Sequence, residues 1–350
     1  MCAAVAASGL LAGLVDVRAC SVPVFRYALD RWTADAYQLA VPAAVAKSAE
    51  IEPLLAELRK NPVANVLVTV DKSATGDGPA RLMLPQAPDK PIWSGPLTAD
   101  VLRVLTDSPA RREMARRIRA GDSAVWVLVD SGKREADDAA AAALEKRLKY
   151  IESVAALQEI DPNDPTSQVG PGPALKAKFS LLRVARSDPA EKFLVAMLTW
   201  ALADKPDAAG APVVAPVFGR GKVLGVAPAA EVSDETVDEM CMFLLGACSC
   251  QAKEANPGYD LLMAVDWDAK LAEAQEARDK AAETAGAAVD AKVSVSKTNA
   301  PVPETVVITG TEPKAPPPPQ DRSRMIGWAV AVVLLGFAAM IAVFSRKKKP

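Results

Sequence analysis

The residues of this 350-residue chain whose chemistry stands out are four cysteines: Cys20, Cys241, Cys248 and Cys250. A fifth, Cys2, lies in an apolar N-terminal segment that we expect to be removed. Histidine is absent, which excludes Ser–His–Asp triads, Cys–His nucleophile pairs and the commonest zinc-ligand sets. The chemistry that these cysteines could perform is disulfide bonding, thiol exchange or metal ligation by a thiolate.

The spacing of the cysteines leaves four interpretations open. Cys241 and Cys248 lie seven positions apart, about 10 Å on an unbroken helix, which is beyond disulfide reach unless Gly246 ends that helix. A structural disulfide from Cys20 to the C-terminal cluster is favoured, whereas Cys248 and Cys250 would form a strained, redox-active ring. A metal or iron–sulfur site is disfavoured because the spacing matches no strong ligand pattern. Inert buried thiols are the fourth interpretation.

The two ends of the chain predict export and membrane anchoring. Residues 325–344 are an uncharged apolar run of twenty residues, long enough as a helix to cross a bilayer. The basic tail that follows, 345–350, is expected in the cytoplasm, which places the body of the protein outside it. Residues 1–19 are interpreted as a signal peptide, although no lysine or arginine precedes their apolar run. Lipidation of Cys20 stays open.

A stalk is expected between the body and the membrane helix, over residues 267–324. Its first part, 267–292, is rich in Ala, Glu and Lys and suits a solvated helix. Its second part includes a proline-rich stretch at 301–320, which favours extended polyproline conformation. At about 3.1 Å per residue this stretch would hold the body as much as about 60 Å from the bilayer.

Hydrophobic periodicity predicts a regular series of elements in residues 121–266. An apolar run at 124–129 is typical of a strand buried on both faces, and a helix carrying Leu144 and Leu148 follows it. The later elements are a strand at 179–185, a helix opened by Asp188 and Pro189, a hairpin of 213–218 with 222–226, and a helix from Ser233. The order is strand, helix, strand, helix, strand, strand, helix.

That order resembles the thioredoxin-like fold, with Pro212 leading the third strand and a glycine-rich turn at 218–222. The resemblance implies a cis proline at Pro212 and an active-site turn at 130–133. This turn reads Asp-Ser-Gly-Lys, so C-x-x-C oxidoreductase chemistry is not expected there. By analogy with modules that have lost their thiols, Asp130, Ser131 and Pro212 would lie at a peptide-binding groove.

The first half of the chain, 20–120, shows a fainter version of the same order. Strands are predicted at 37–41, 66–70 and 81–84, with a helix after the first strand and another after the third. We interpret this half as a degenerate thioredoxin-like module; the alternative is one larger α/β domain whose halves share a sheet. A helix opened by Ser108 and Pro109 carries five arginines, interpreted as a solvated basic face: Arg111, Arg112, Arg116, Arg117 and Arg119.

Composition and motifs exclude several functional classes. Lysine plus arginine total 41 and aspartate plus glutamate 43, a balance that argues against broad nucleic-acid binding. The sequence contains no P-loop, dinucleotide fingerprint or Gly-x-Ser-x-Gly motif, and no cofactor is expected. Residues 20–29 and 248–258 are similar to segments of an uncharacterised family of exported, membrane-anchored bacterial proteins, which implies a location in the cell envelope.

The sequence therefore predicts an α/β protein with one or two thioredoxin-like modules, a stalk and one transmembrane helix in the bacterial inner membrane. Its expected partners are the lipid bilayer and a protein of the envelope. We expect a tethered scaffold or binding module without catalytic activity. The alternative is an atypical thiol–disulfide redox protein that uses Cys248 and Cys250.

Overall fold

A computed structural model describes residues 21–60, 63–73, 76, 78–160, 163–205, 208, 210–247 and 252–295. The predicted signal peptide, the proline-rich part of the stalk, the membrane helix and the basic tail lie outside the described residues, as do Cys20, Cys248 and Cys250. Within the described ranges, no helix combines the length and the apolar character needed to cross a bilayer.

The described chain is a mixed α/β fold with two sheets. Its helices are α1 (Val24–Arg31), α2 (Ala43–Ala46), α3 (Glu52–Lys60), α4 (Ala99–Thr106), α5 (Pro109–Arg119), α6 (Arg134–Val154), α7 (Lys192–Thr199), α8 (Asp234–Leu245) and α9 (Trp267–Val295). Its strands are β1 (Tyr37–Pro42), β2 (Val66–Asp71), β3 (Ala80–Leu84), β4 (Ala87–Gly95), β5 (Ala124–Asp130), β6 (Phe179–Ala185), β7 (Val213–Phe218), β8 (Lys222–Val223), β9 (Ala227–Pro228) and β10 (Tyr259–Asp260).

Side-chain caps fix where several helices begin. The hydroxyl of Thr98 accepts a hydrogen bond from the third residue of α4, and Ser108 and Ser233 do the same for α5 and α8. Asp188 accepts from the amide of Ala190 and opens a short 3₁₀ turn that leads into α7. The starts at Ser108, Asp188 and Ser233 confirm the helix boundaries predicted from these capping residues.

The larger sheet has the order β10-β8-β7-β5-β6. Its central strand β5 is parallel to β6 and antiparallel to β7. The predicted hairpin is confirmed, but β8 is only two residues long and β9 resumes the pairing with β7 after a gap. The gap lies opposite Pro216, which has no amide hydrogen, although its carbonyl still accepts from Leu224.

The two faces of β5 belong to two hydrophobic clusters, which confirms the prediction of a strand buried on both faces. Ala124, Trp126 and Leu128 pack with buried residues of α1, α6 and α8. The intervening valines, Val125, Val127 and Val129, face the other cluster, which includes residues of α5, α7 and the smaller sheet. The alternation follows from the two-residue period of a strand.

The smaller sheet has the order β2-β1-β3-β4, with β1 parallel to β2 and antiparallel to β3. It is separate from the larger sheet, so the alternative in which both halves of the chain share a sheet is wrong. In the described ranges the edge strands β2 and β4 pair with no strand of the larger sheet, and the two sheets meet through side chains in one common cluster. Strand β4 was not predicted, because Pro88, Asp89 and Pro91 interrupt the pattern by which a strand is recognised. The structure tolerates them because β4 is an exposed edge strand.

Two further findings correct the sequence interpretation. Helix α1, which was not predicted, packs against the larger sheet, and Pro23 pairs with Ala247 just beyond α8. Arg111 does not belong to a solvated face, because only 1% of its surface is exposed. It lies on the same side of α5 as Met114 and Ile118, and that side packs into the core.

Helix α9 begins within the body of the protein. Trp267 and Leu271 are buried in the common hydrophobic cluster, and Gln275 accepts a hydrogen bond from the amide of Gly172. Further along, Arg278, Asp279 and Lys280 are exposed, as expected for the solvated helix predicted at 267–292. The first turns of this helix, which were predicted as part of the solvated stalk, therefore pack into the body of the protein.

Candidate functional site

Asp130 and Ser131 lie where the larger sheet ends, in a groove of about 370 Å³. Strands β5 and β6 run parallel and end together here, and helix α6 begins directly beyond β5. Grooves at the carboxyl ends of parallel strands are the usual ligand sites of α/β sheets. The groove is lined by Asp130, Ser131, Gly132, Arg134, Asp137, Arg183, Ala185, Arg186 and Ser187.

The turn between β5 and α6 is held by the carboxylate of Asp137. This side chain accepts hydrogen bonds from the amide of Ser131 at 2.7 Å, from its hydroxyl at 2.8 Å and from the amide of Gly132 at 3.0 Å. Burial alone would raise the pKa of Asp137, but these donors outweigh it and hold the pKa below its usual range. The amides that face the start of α6 are therefore already occupied by an internal anion.

Two arginines from the end of β6 complete the groove, and they differ in their partners. Arg183 forms ion pairs with Asp130 at 3.2 Å and Asp138 at 2.7 Å. Arg186 instead donates to main-chain carbonyls, that of Ala211 at 2.9 Å and that of Asp130 at 3.4 Å. One wall of the groove is thus a neutralised ion-pair network, and the other carries an arginine without a carboxylate partner among the described residues.

The third residue of the predicted groove, Pro212, does not line it. Pro212 is buried, and its carbonyl accepts a hydrogen bond from the amide of Ala229 at 2.8 Å. The expectation of a cis proline is wrong, because the Ala211–Pro212 peptide bond is trans. The main chain here already runs extended toward β7, and Arg186 bridges it to the end of β5. The structure thus brings Asp130 and Ser131 together, without Pro212.

Cys241 lies on the buried side of α8 with Val237 and Leu244. Its side chain is fully buried, and burial raises the pKa of the thiol to about 12. A neutral, inaccessible thiol is a poor nucleophile and a poor metal ligand. Among the described side chains, no group of three or more Cys, Asp or Glu residues converges as a metal site would require.

The other three cysteines lie outside the described residues, but their chain neighbours meet. Pro23, three positions after Cys20, forms an antiparallel bridge with Ala247, directly before Cys248. In addition, the amide of Val24 donates to the carbonyl of Gly246 at 3.0 Å. This contact supports the predicted disulfide between Cys20 and the C-terminal cluster, since it joins the two segments that would carry the bridge.

We expect peptide mapping of the full chain, purified from an oxidising compartment, to find Cys20 linked to Cys248 or Cys250. Cys241 should resist alkylation until the protein is denatured, because its thiol is buried and protonated. A Cys248–Cys250 ring that opens near about −200 mV in a glutathione series would instead favour the redox alternative. A lipid attached to the thiol of Cys20 would contradict the predicted disulfide, because that thiol could not form it.

Sequence reasoning missed Arg183, Arg186 and Asp137 as groove residues. Both arginines lie at or just after the end of β6, so a signal existed: parallel neighbouring strands end at the same edge of a sheet. That inference requires knowing that β6 pairs directly with β5, and the order of strands cannot be read from the hydrophobic pattern alone.

A comparison with protein-family models, curated proteins and solved structures finds no match to this chain. The residues of the groove therefore carry the functional argument alone.

Proposed function

We propose that this chain is a membrane-tethered, non-catalytic binding module of the bacterial cell envelope. The observation that carries the proposal is the turn after β5. A thioredoxin-like module would hold its dithiol there, whereas here Ser131 and Gly132 form a turn clamped by Asp137. A preorganised groove without a reactive group suits recognition of a partner.

Strand order and helix placement support a thioredoxin-like body. The resemblance implies a central strand flanked by one parallel and one antiparallel neighbour, which is how β6, β5 and β7 are arranged. Helices α6 and α8 pack on one face of this sheet, and α7 packs on the other. The smaller sheet repeats the order, since β2, β1, β3 and β4 correspond to β6, β5, β7 and β8. This repetition supports two related modules in one chain.

The tether is the apolar run at 325–344, and its basic C-terminal flank supports an orientation with the body outside the cytoplasm. The partners that follow are the bilayer and a protein of the envelope. Polar side chains line part of the groove: Asp130, Ser131 and Ser187 supply acceptors and hydroxyls beside the paired Arg183. Such a surface suits an extended polypeptide, whose main chain needs both donors and acceptors.

The test places a photo-crosslinking amino acid at Ser187, an exposed residue of the groove, in the full chain within cells. Lys149, an exposed residue near the opposite end of α6, is the matched control position. We expect a discrete, light-dependent protein adduct from position 187 that stays with alkali-washed membranes, and no such adduct from position 149. If both positions give the same adducts, or if neither gives any, the groove is not the binding surface.

A further inference from the structure

A second groove, of about 400 Å³, lies between β4 and the end of α7. It is lined by Lys90, Pro91 and Ile92 from β4, by Ala196, Thr199, Trp200, Leu202, Ala203, Lys205 and Ala208 from α7 and the segment after it, and by Arg186. Arg186 also lines the first groove, so the two are neighbours. The volume is that of a site for a small organic molecule.

The charged residues that line this second groove are all positive. Lys90, Arg186 and Lys205 supply three cations, and among the described residues that line the groove there is no carboxylate. Lys205 forms an exposed ion pair with Glu231 at 2.9 Å, a contact that solvent and salt weaken. The cluster is notable in a chain of net charge −2, because it concentrates positive charge in one concave place.

Arg186 is the most enclosed of the three cations. Its guanidinium has five N–H donors, of which the Nη2 and Nε groups contact the carbonyls of Ala211 and Asp130. Within the described part of the chain, nothing accepts a hydrogen bond from Nη1, and no carboxylate pairs with this side chain. Burial lowers the pKa of Arg186, so its charge is costly here, and a bound anion would offset that cost.

The floor of the second groove is apolar. Ile92 and Pro91 come from β4, Leu202 is buried, and Trp200 is half-buried. The ring of Trp200 is held edge-to-face against Tyr259, with ring centroids 6.2 Å apart. A fixed aromatic wall beside a cluster of cations suits a ligand that has an anionic end and an apolar body.

We propose that this second groove binds an organic anion, with its carboxylate or phosphate at Arg186 and Lys90 and its apolar part against Trp200 and Ile92. A guanidinium binds either anion through paired hydrogen bonds, so the two groups share one recognition chemistry. The site shares Arg186 with the polypeptide groove of the proposed function but is otherwise distinct, because Lys90, Trp200 and Lys205 do not line that groove.

The test is ligand-observed ¹⁹F NMR on the full chain in nanodiscs with three probes of similar shape. The probes are 4-fluorophenylacetate, 4-fluorophenyl phosphate and the neutral 4-fluorophenylacetamide. We expect saturable binding of one or both anions and at least tenfold weaker binding of the amide, since the amide cannot form the charge-assisted hydrogen bonds. The preferred anion distinguishes a carboxylate ligand from a phosphate ligand. Equal binding of all three, or of none, would overturn the proposal.

Variants then locate the site. Lys90→Glu and Lys205→Gln change exposed side chains of the second groove only, and together they should weaken anion binding at least tenfold. Arg134→Glu is the matched control: it changes an exposed arginine of the first groove and should leave anion binding unchanged. If only Arg134→Glu weakens anion binding, the anion binds in the first groove and the proposal is wrong. The crosslink at position 187 is scored separately, so either proposal can fail alone.

Discussion

Arg111→Ala is expected to lower the free energy of unfolding by about 3–5 kcal/mol, the usual cost of removing one member of a buried charged network. The guanidinium donates to the carbonyls of Val104 and Leu105 at the end of α4 and to that of Leu262. It also donates to the hydroxyl of Ser108 at 3.0 Å. Burial lowers the pKa of Arg111 to about 10, so it stays charged at neutral pH.

The same substitution also removes positive charge near the buried carboxylate of Glu191. Ser108 donates to the buried carboxylate of Glu191 at 2.6 Å, and that carboxylate also accepts from the amide of Ala110. Glu191 comes from the turn before α7, so the network joins the two halves of the chain. Without Arg111 this carboxylate would remain buried with less compensating positive charge, which adds to the destabilisation.

Chemical denaturation of the full chain, followed by tryptophan fluorescence, measures the effect. The matched control is Arg112→Ala, the adjacent arginine on the same helix, whose exposed side chain pairs with Asp107 at 2.5 Å. Because exposed ion pairs contribute little, this variant should lose at most about 1 kcal/mol. Equal losses for the two variants would show that Arg111 does not act as a buried anchor.

Gly258→Ala should be the most destabilising single methyl addition that we can identify, at about 3 kcal/mol or more. The φ angle of Gly258 is +96°, and an added Cβ would lie 1.9 Å from the carbonyl oxygen of Val223. Val223 belongs to β8, which pairs with β10 directly after the glycine. To relieve the clash, β10 would have to move away from β8, and the ladder of the larger sheet would lose its last strand.

Gly132→Ala separates the two causes of that effect. Gly132 also has a positive φ, +90°, but an added Cβ there meets nothing within 4 Å. This variant should show only the backbone strain, about 1–2 kcal/mol. Thermal unfolding of both variants gives the difference between strain and collision. A Gly258→Ala protein as stable as Gly132→Ala would mean that β10 adapts without cost.

The larger sheet was well predicted from the sequence because its elements carry strong local signals. The apolar run of β5 and the capping residues Asp188 and Ser233 are properties of a few adjacent residues. Helix α1 and strand β4 were missed for the opposite reason. Their formation depends on distant partners, and β4 contains prolines that usually signal a break.

The groove was predicted only in part. Asp130 and Ser131 were found because the fold resemblance points to the turn after the first strand, but Arg186 required the strand order of the sheet. Arg111 was misread because arginines usually lie on solvated helix faces. A signal was present, since Arg111 lies three residues before Met114 and seven before Ile118, on the apolar side of α5. The charge of Arg111 is tolerated at this buried position because its guanidinium donates hydrogen bonds to main-chain carbonyls.

The bridge between Pro23 and Ala247 also determines the order in which the protein is completed. Helix α1 emerges early from the ribosome, yet the residues it packs against in β7 and α8 follow about 200 residues later. At about 5–20 residues per second, that separation is about 10–40 s of synthesis. During this interval the buried side of α1, which includes Phe25, lacks its neighbours in β7 and α8. The body of the protein can therefore be completed only after its C-terminal part has been synthesised.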